Sequence, residues 1–301
     1  MRFVISADLH LREDLPRCRK DEDWLKTQEK ALNQITAFCI EKRCDLILVG
    51  DIFHRSTEFR MVVYIQKAAK KLKKYDLSIY YLCGNHDMLY HQSANIDKSA
   101  IGLLKNSNNC FYIKDYFEKL YYENNNNCFH YSAANFDEED KKDAEYVFKH
   151  VLCFPDMKSL PPNVDALTAK DLLSEFPNAK WIFTGDMHQH FHYEKNGRHV
   201  VNPGCMLRQA VDLKDYQTGF YFVDTDENIV EFELIIDNEQ FIDDSYILRE
   251  KEKEERIEAF ANKIGEVESV SLDYIENVKS AMLSSKLSDE LKETINELVG
   301  I

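Results

Sequence analysis

Five β-rich runs in this chain each stop on a polar residue of the kind that binds metal. RFVISA (2–7) runs into Asp8 and His10, and DLILVG (45–50) into Asp51. LSIYYLC (77–83) runs into Gly84, Asn85, His86 and Asp87. EYVFK (145–149) runs into His150, and KWIFT (180–184) into Gly185, Asp186, Met187 and His188. Helical patterns lie between some of them. One covers 23–43, with Trp24, Leu25, Ala31, Leu32, Ile35 and Phe38 on an apolar stripe; others cover 59–74 and 166–176. Strands alternating with helices predict an α/β sheet with helices on its faces. Ligands of such sheets bind beyond the carboxyl ends of the strands, where all five polar clusters fall.

The rest of the chain is organised differently. ENNNN (123–127) separates two aromatic-rich runs within 106–132 and reads as a hairpin or loop. Two more strand-like runs, GFYFVD (219–224) and NIVEFELII (228–236), follow Asn202-Pro203-Gly204. From about residue 245 the pattern turns to charged helix, with apolar stripes at Leu272, Ile275, Val278 and Met282, and at Leu287, Leu291, Ile295 and Leu298. No internal repeat is present. The expected domains are a core over 1–240 and an acidic helical region over 241–301.

Charge follows the same division. Residues 1–210 carry 29 basic and 29 acidic residues, whereas 211–301 carry 9 and 24, the source of the whole net charge of −15. A neutral core with an acidic tail suggests two functional parts. The eight cysteines form no CxxC pair and read as reduced and mostly buried. No run reaches the roughly 18 apolar residues of a membrane span, and the N-terminus lacks the apolar stretch of a signal peptide. The expected setting is cytoplasmic (a host cytoplasm for a viral chain), without a membrane.

Asp8, His10, Asp51, Asn85 and His150 offer oxygen and nitrogen donors without a cysteine. That mix suits Mn²⁺, Fe²⁺ or Zn²⁺ rather than a structural zinc. There are too many donors for one ion. Two ions about 3.5–4 Å apart, bridged by a carboxylate, would use them all, and such pairs catalyse displacement at phosphorus.

DLH (8–10), GDIFH (50–54), GNHD (84–87), the later His150 and G-x-x-H (185–188) together resemble the calcineurin-like metallophosphoesterase superfamily over roughly residues 1–205. GDIFH and NPG (202–204) look most like the nuclease subunit of SbcCD-type DNA end-processing complexes, in the compact form carried by some phages and bacteria. The resemblance implies a layered sheet sandwich flanked by helices, followed here by a helical extension. It implies one metal on Asp8, His10 and His188, and a second on Asn85, His150 and the residue after Gly185, with Asp51 bridging. By the same resemblance His86 would act on the leaving group with Asp87 orienting its ring, and His54 would lie beside the phosphate. The protein would be a nuclease on DNA, docked through its C-terminal helices on an SbcC-type coiled-coil ATPase; a homodimer is also consistent with the family. The family's DNA-capping domain would be reduced to 206–240. A phosphatase or small-molecule phosphodiesterase is the competing reading, since fold alone does not decide function.

The last motif departs from the family's Gly-His-x-His. Anchored on Gly185, Asp186 replaces the first histidine and His188 is the second. Anchored on the histidines, His188-Gln189-His190 would be the pair. Distance from the strand end favours the glycine anchor and leaves His190 and His192 outside. With Asp186, the second site is rich in oxygen, which tilts it towards Mn²⁺ or Mg²⁺. Arg12, Arg55 and Arg60 follow the first two motifs and are candidates for holding phosphate, as are Arg17, Arg19 and Lys20. Lysines 67, 70, 71, 73 and 74 read as a solvated helix face. Without a dense basic stripe, intrinsic DNA affinity should be weak.

Overall fold

A computed structural model describes residues 1–91, 93–113, 120–124, 143–162, 164, 166–237 and, beyond these, 245, 249, 253, 256, 278, 279, 281–283 and 287–299. It divides into two compact units, Met1–Ile242 and Asp243–Ile301. In the first, β1 (Arg2–Ser6), β2 (Asp45–Val49), β3 (Ile79–Leu82) and β4 (Cys110–Tyr112) run parallel. β12 (Gly219–Asp224) and β13 (Ile229–Leu234) extend this sheet antiparallel beyond β1, giving six strands in the order β13-β12-β1-β2-β3-β4. A second sheet has the order β10-β11-β9-β6-β5, from β5 (Leu120–Asn124), β6 (Tyr146–His150), β9 (Trp181–Gly185), β10 (Phe191–Lys195) and β11 (Arg198–Asn202). A short pair, β7 (Cys153–Phe154) and β8 (Leu167–Thr168), stands apart from both.

Alternation along the strands builds the layers. Phe3, Ile5, Ile47 and Val49 point to one side and pack with Phe148, Trp181, Phe183 and Val201 of the other sheet. Val4, Leu46 and Leu48 point the opposite way and pack under α1 (Trp24–Lys42) and α2 (Val62–Lys73). The helix Ala169–Glu175 covers the far face of the second sheet through Leu172 and Leu173. This is the expected sheet sandwich flanked by helices. It buries both faces of the parallel strands, which is why their sequences are nearly continuous apolar runs.

α1 shows how sequence positions the loops above. The Asp23 side chain caps it by accepting from the Lys26 amide, and Arg43 ends it with φ 53°. Its buried stripe is Trp24, Gln28, Ala31, Leu32, Ile35, Thr36 and Cys39. Leu25, expected on that stripe, is exposed, because it lies about 100° around the helix from Trp24. Gln28 takes an inward place instead: its amide exchanges two 2.9 Å hydrogen bonds with the Arg12 backbone and ties the helix to the loop after β1.

Other expectations change. β4 joins β3 in one sheet and β5 joins β6 in the other, both parallel, and most of the hairpin or loop expected at 123–127 lies outside the described residues. The second aromatic run, at 128–132, lies outside the described residues. The segment 219–234, placed in a reduced cap, is two strands of the core sheet, because Phe220, Phe222 and Val223 complete its cores. Lysines 67, 70, 71, 73 and 74 are exposed, as a solvated face. Arg19 is not at a phosphate-binding edge. Its side chain is fully buried, stacked over Trp24, and bonds Asp21 and Asp237 through paired nitrogens at 2.7–3.0 Å.

Burial raises the Asp21 pKa, but its bonds from Arg19 and Thr27 bring it below the ordinary carboxylate range. We expect Arg19→Met to destabilise the fold by about 3 kcal/mol near neutral pH, because it leaves the buried Asp21 carboxylate without its arginine and takes from Asp237 one of its arginine partners, Arg208 staying at 3.2 Å. A depressed carboxylate pKa contributes stability above the unfolded value, about 3.9, and loses it as pH falls through the folded one. The Asp21 share of the difference should therefore vanish in acid, which urea unfolding at several pH values will show.

In the second unit, Asp289–Val299 is helical, with Leu291 and Ile295 half-buried on one side. Leu272, Ile275 and most of 247–264 lie outside the described residues. Among the described residues no helix is long and apolar enough to cross a membrane.

Candidate metal centre

The carboxyl ends of β1, β2, β3, β6 and β9 meet at one edge of the sandwich. Four of the residues there adopt positive φ without being glycine: Asp8 (47°), His10 (43°), Asp51 (46°) and Asp186 (78°). Each such conformation costs on the order of 1–3 kcal/mol and persists where the surroundings over-determine it. Here they do. The loops after β1 and β2 zip together through Asp8 N to Gly50 O (3.2 Å), His10 N to Asp51 O (3.0 Å), Leu11 N to Ile52 O (2.9 Å) and His54 N to Leu11 O (3.0 Å).

The donor atoms converge in groups. Those of Asp8, His10 and His188 lie within 4.8 Å of one another, as do those of Asp8, Asp51 and His150, and those of His10, His54 and His86. The Asp51 carboxylate stands between His10 Nε2 (3.9 Å) and His150 Nε2 (3.6 Å). Asn85 donates to Asp186 Oδ1 at 3.4 Å, and the Asp186 amide donates to both Asp8 oxygens at 3.0–3.1 Å. Asp8, Asp51 and His150 are almost wholly buried, His10 is buried, and Asn85, Asp186 and His188 are half-exposed.

This chemistry calls for positive charge. Among the described residues, neither Asp8 nor Asp51 has a lysine or arginine partner, although both are buried. Burial and repulsion from Asp8 raise the Asp51 pKa despite His150 and His86 nearby. Burial lowers His150, but the charges of Asp51, Asp8 and Asp186 outweigh it and lift the ring to about 10. Burial, then the neighbouring His188 and His86, hold His10 well below its ordinary value, so it is a neutral imidazole with a lone pair to offer. His10 Nε2 and His188 Nε2 face each other at 3.2 Å, an approach that needs a shared proton or a shared cation. Cations fit this donor set.

Glycines without which the cluster would not close were missed as site residues. A Cβ on Gly50 (φ 77°) would lie 2.1 Å from the His150 ring, and one on Gly84 would lie 2.0 Å from Asp51 Oδ1. The signal was in the sequence, since each glycine directly precedes a ligand motif.

His86 is exposed at the rim. Its Nδ1 donates to the His54 carbonyl at 2.7 Å, which leaves Nε2 for a substrate. The His54 ring stacks on it at 5.6 Å, and burial, then Arg12 and His86, depress its pKa to about 4. Asp87 does not orient the His86 ring. Its buried carboxylate accepts from the amides of Gly84 (2.9 Å), Ile52 (3.2 Å) and Phe53 (2.9 Å), and so points away from the ring. Burial and Asp51 raise its pKa to about 7 against those three bonds.

The three rim arginines already face carboxylates. Arg12 pairs with Asp14, Arg55 approaches Asp14 at 3.7 Å, and Arg60 pairs with Glu13 at 2.6 Å. His190 bonds the Tyr216 hydroxyl through Nδ1 (2.6 Å) and stacks on Phe232, away from the three donor groups. His192 and His199 bond each other at 2.9 Å, with His199 stacked on Trp181.

Solved structures with a similar chain path include TT1561 of Thermus thermophilus (9% identity, 78% of this chain and 99% of that one, TM-score 0.46). Others are a novel archaeal phosphodiesterase (12%, 78% and 99%, 0.40) and vacuolar protein sorting 29 from Cryptosporidium parvum (15%, 77% and 95%, 0.33). No curated protein matches the sequence. The sequence pattern of the calcineurin-like phosphoesterases matches residues 1–190, which span all five strand ends and every proposed ligand, and the chain belongs to that family.

Proposed function

We propose that this protein is a two-metal-dependent phosphodiesterase acting as a DNA nuclease, the exo- or endonuclease subunit of an SbcCD-like end-processing or recombination complex. The observation that supports it most is the convergence of two donor groups on the shared Asp8, with His54 and His86 beside them at the rim. Asp8, His10 and His188 would hold one cation, and Asn85, His150 and Asp186 the other, with Asp51 between. Mn²⁺ suits this set best, with Mg²⁺, Fe²⁺ or Zn²⁺ as alternatives. When bound, such a pair makes hydroxide available near neutral pH and stabilises charge building on phosphorus oxygens.

The chain's own residues do the rest. Asp51 and His150 fix each other at the floor. His86, held by the His54 carbonyl, presents Nε2 to the leaving group; protonated, it donates there. His54, kept neutral by burial, places the strand rather than supplying a proton. The C-terminal unit, with its amphipathic helix at Asp289–Val299, is the proposed dock for a coiled-coil ATPase. Such a partner would supply the grip on DNA that paired rim arginines do not.

Those pairings also favour a second reading, a phosphatase or small-molecule phosphodiesterase, because Asp14 and Glu13 neutralise the cations nearest the mouth. Purified protein, alone and with its ATPase partner, should be assayed with Mn²⁺ on DNA and on p-nitrophenyl phosphate esters. The expected result is DNA cleavage that is weak alone, stronger with the partner, and abolished by EDTA. Cleavage of small esters only, with the partner present, would overturn the nuclease reading.

A further inference from the structure

Two tripeptides carry the ligands proposed for the first cation, Asp8-Leu9-His10 and Met187-His188-Gln189. All six of their carbonyl oxygens accept hydrogen bonds from one short segment, residues 202–209. Met206 N donates to Asp8 O (3.4 Å), and Gln209 Nε2 donates to both Leu9 O (3.3 Å) and His10 O (3.2 Å). Asn202 Nδ2 donates to Met187 O (2.7 Å) and Gln189 O (2.8 Å), and Cys205 N donates to His188 O between them (2.9 Å). Thr184 Oγ1 donates to Asn202 Oδ1 at 3.2 Å, which sets which way that amide faces.

Close approach is built into the segment. Gly204 has φ 71°, and a Cβ there would sit 2.7 Å from both His188 O and His190 N. Cys205 also bridges Ala7, the residue before Asp8. The backbones of Asp51 and Asn85 are held elsewhere: Asp51 O accepts from His10 N, and Asn85 O from Met88 N.

We propose that residues 202–209 form a positioning strap for the first cation, with Gln209 and Asn202 as the side chains that set the geometry of Asp8, His10 and His188. The proposal rests on the two-cation reading above. Asp8 and His10 are in strained backbone conformations, so their loop relaxes unless something holds it. One Gln209 nitrogen holds two of its three carbonyls. Asn202, fully buried, does the same for the other tripeptide. Neither touches the cation; each acts through the backbone of its ligands, as outer partners of metal sites do.

Gln209→Met keeps the side chain's length and removes its donor. Asn202→Asp keeps shape and the Thr184 contact and removes both donors. Mn²⁺ binding to the full chain should be measured by titration calorimetry, with circular dichroism to verify folding. Wild type is expected to take two ions. Each variant should weaken one of them by about 10–100-fold, the range for outer partners of a metal site, and leave the other unchanged. Repeating Gln209→Met in a His188→Ala background identifies the ion: the added substitution should then change nothing. The strap proposal is overturned if both ions weaken equally, if neither does, or if the loss persists in that background. A wild-type protein that takes up no ion overturns the two-cation reading itself, and the strap with it.

Discussion

Asp186→Asn is expected to remove one of the two cations and to lower phosphodiesterase activity by more than about 100-fold, whereas His190→Ala should keep both ions. A direct ligand should cost more than the 10–100-fold of an outer partner. Asp186 stands where the motif that the sequence resembles would place a histidine, and the sequence alone leaves two registers of that motif open. Its carboxylate is 3.4 Å from the Asn85 amide, and its backbone amide holds Asp8. A side-chain substitution leaves that amide in place, so the Asp8 position survives. Asparagine also tolerates φ 78° better than alanine, which separates ligation from folding. His190, by contrast, is occupied by Tyr216 and Phe232. Truncating it loses packing of about 1 kcal/mol. Elemental analysis of both variants decides between the registers. Two ions in Asp186→Asn and one in His190→Ala would reverse the assignment.

What could be read from the sequence was what local periodicity and strand direction control. Apolar runs buried on two faces announced the parallel strands, and a polar residue at each run's end marked the shared edge. Asp8, Asp51 and His150 gather there because strand ends are placed by the sheet, not by the loops. Pairing between distant segments was not legible. Nothing local says that 219–234 returns beside β1, or that β4 and β5 part into different sheets. The arginines show the same limit. Arg60 follows the second motif by six residues, yet its partner is Glu13, reached only when the two loops meet. Gln209 reads as an ordinary loop residue until its amide is seen spanning two carbonyls.

Asp87 illustrates how adjacency in sequence misleads, and its removal should produce the largest loss of stability. It follows His86 directly, yet consecutive residues in this turn face opposite ways. His86 turns to the rim and Asp87 inward, where three backbone amides from two loops end on its carboxylate. Asp87→Ala would orphan all three amides in a site that excludes water. Each buried unpaired donor costs about 1–3 kcal/mol, so a loss of roughly 3–9 kcal/mol is expected for the three. At roughly 2–4 °C per kcal/mol for a domain this size, the melting temperature should fall by about 6–36 °C. Asp87→Asn should fall between, since one oxygen still accepts while its NH₂ opposes a donor. The amides concerned flank Asp51 and Asn85, so the variant should also lose cation affinity, which a purely remote destabilisation would not. Thermal unfolding with and without Mn²⁺ measures both effects. A variant that melts like wild type but has a slower chemical step would instead return Asp87 to the role of steering His86.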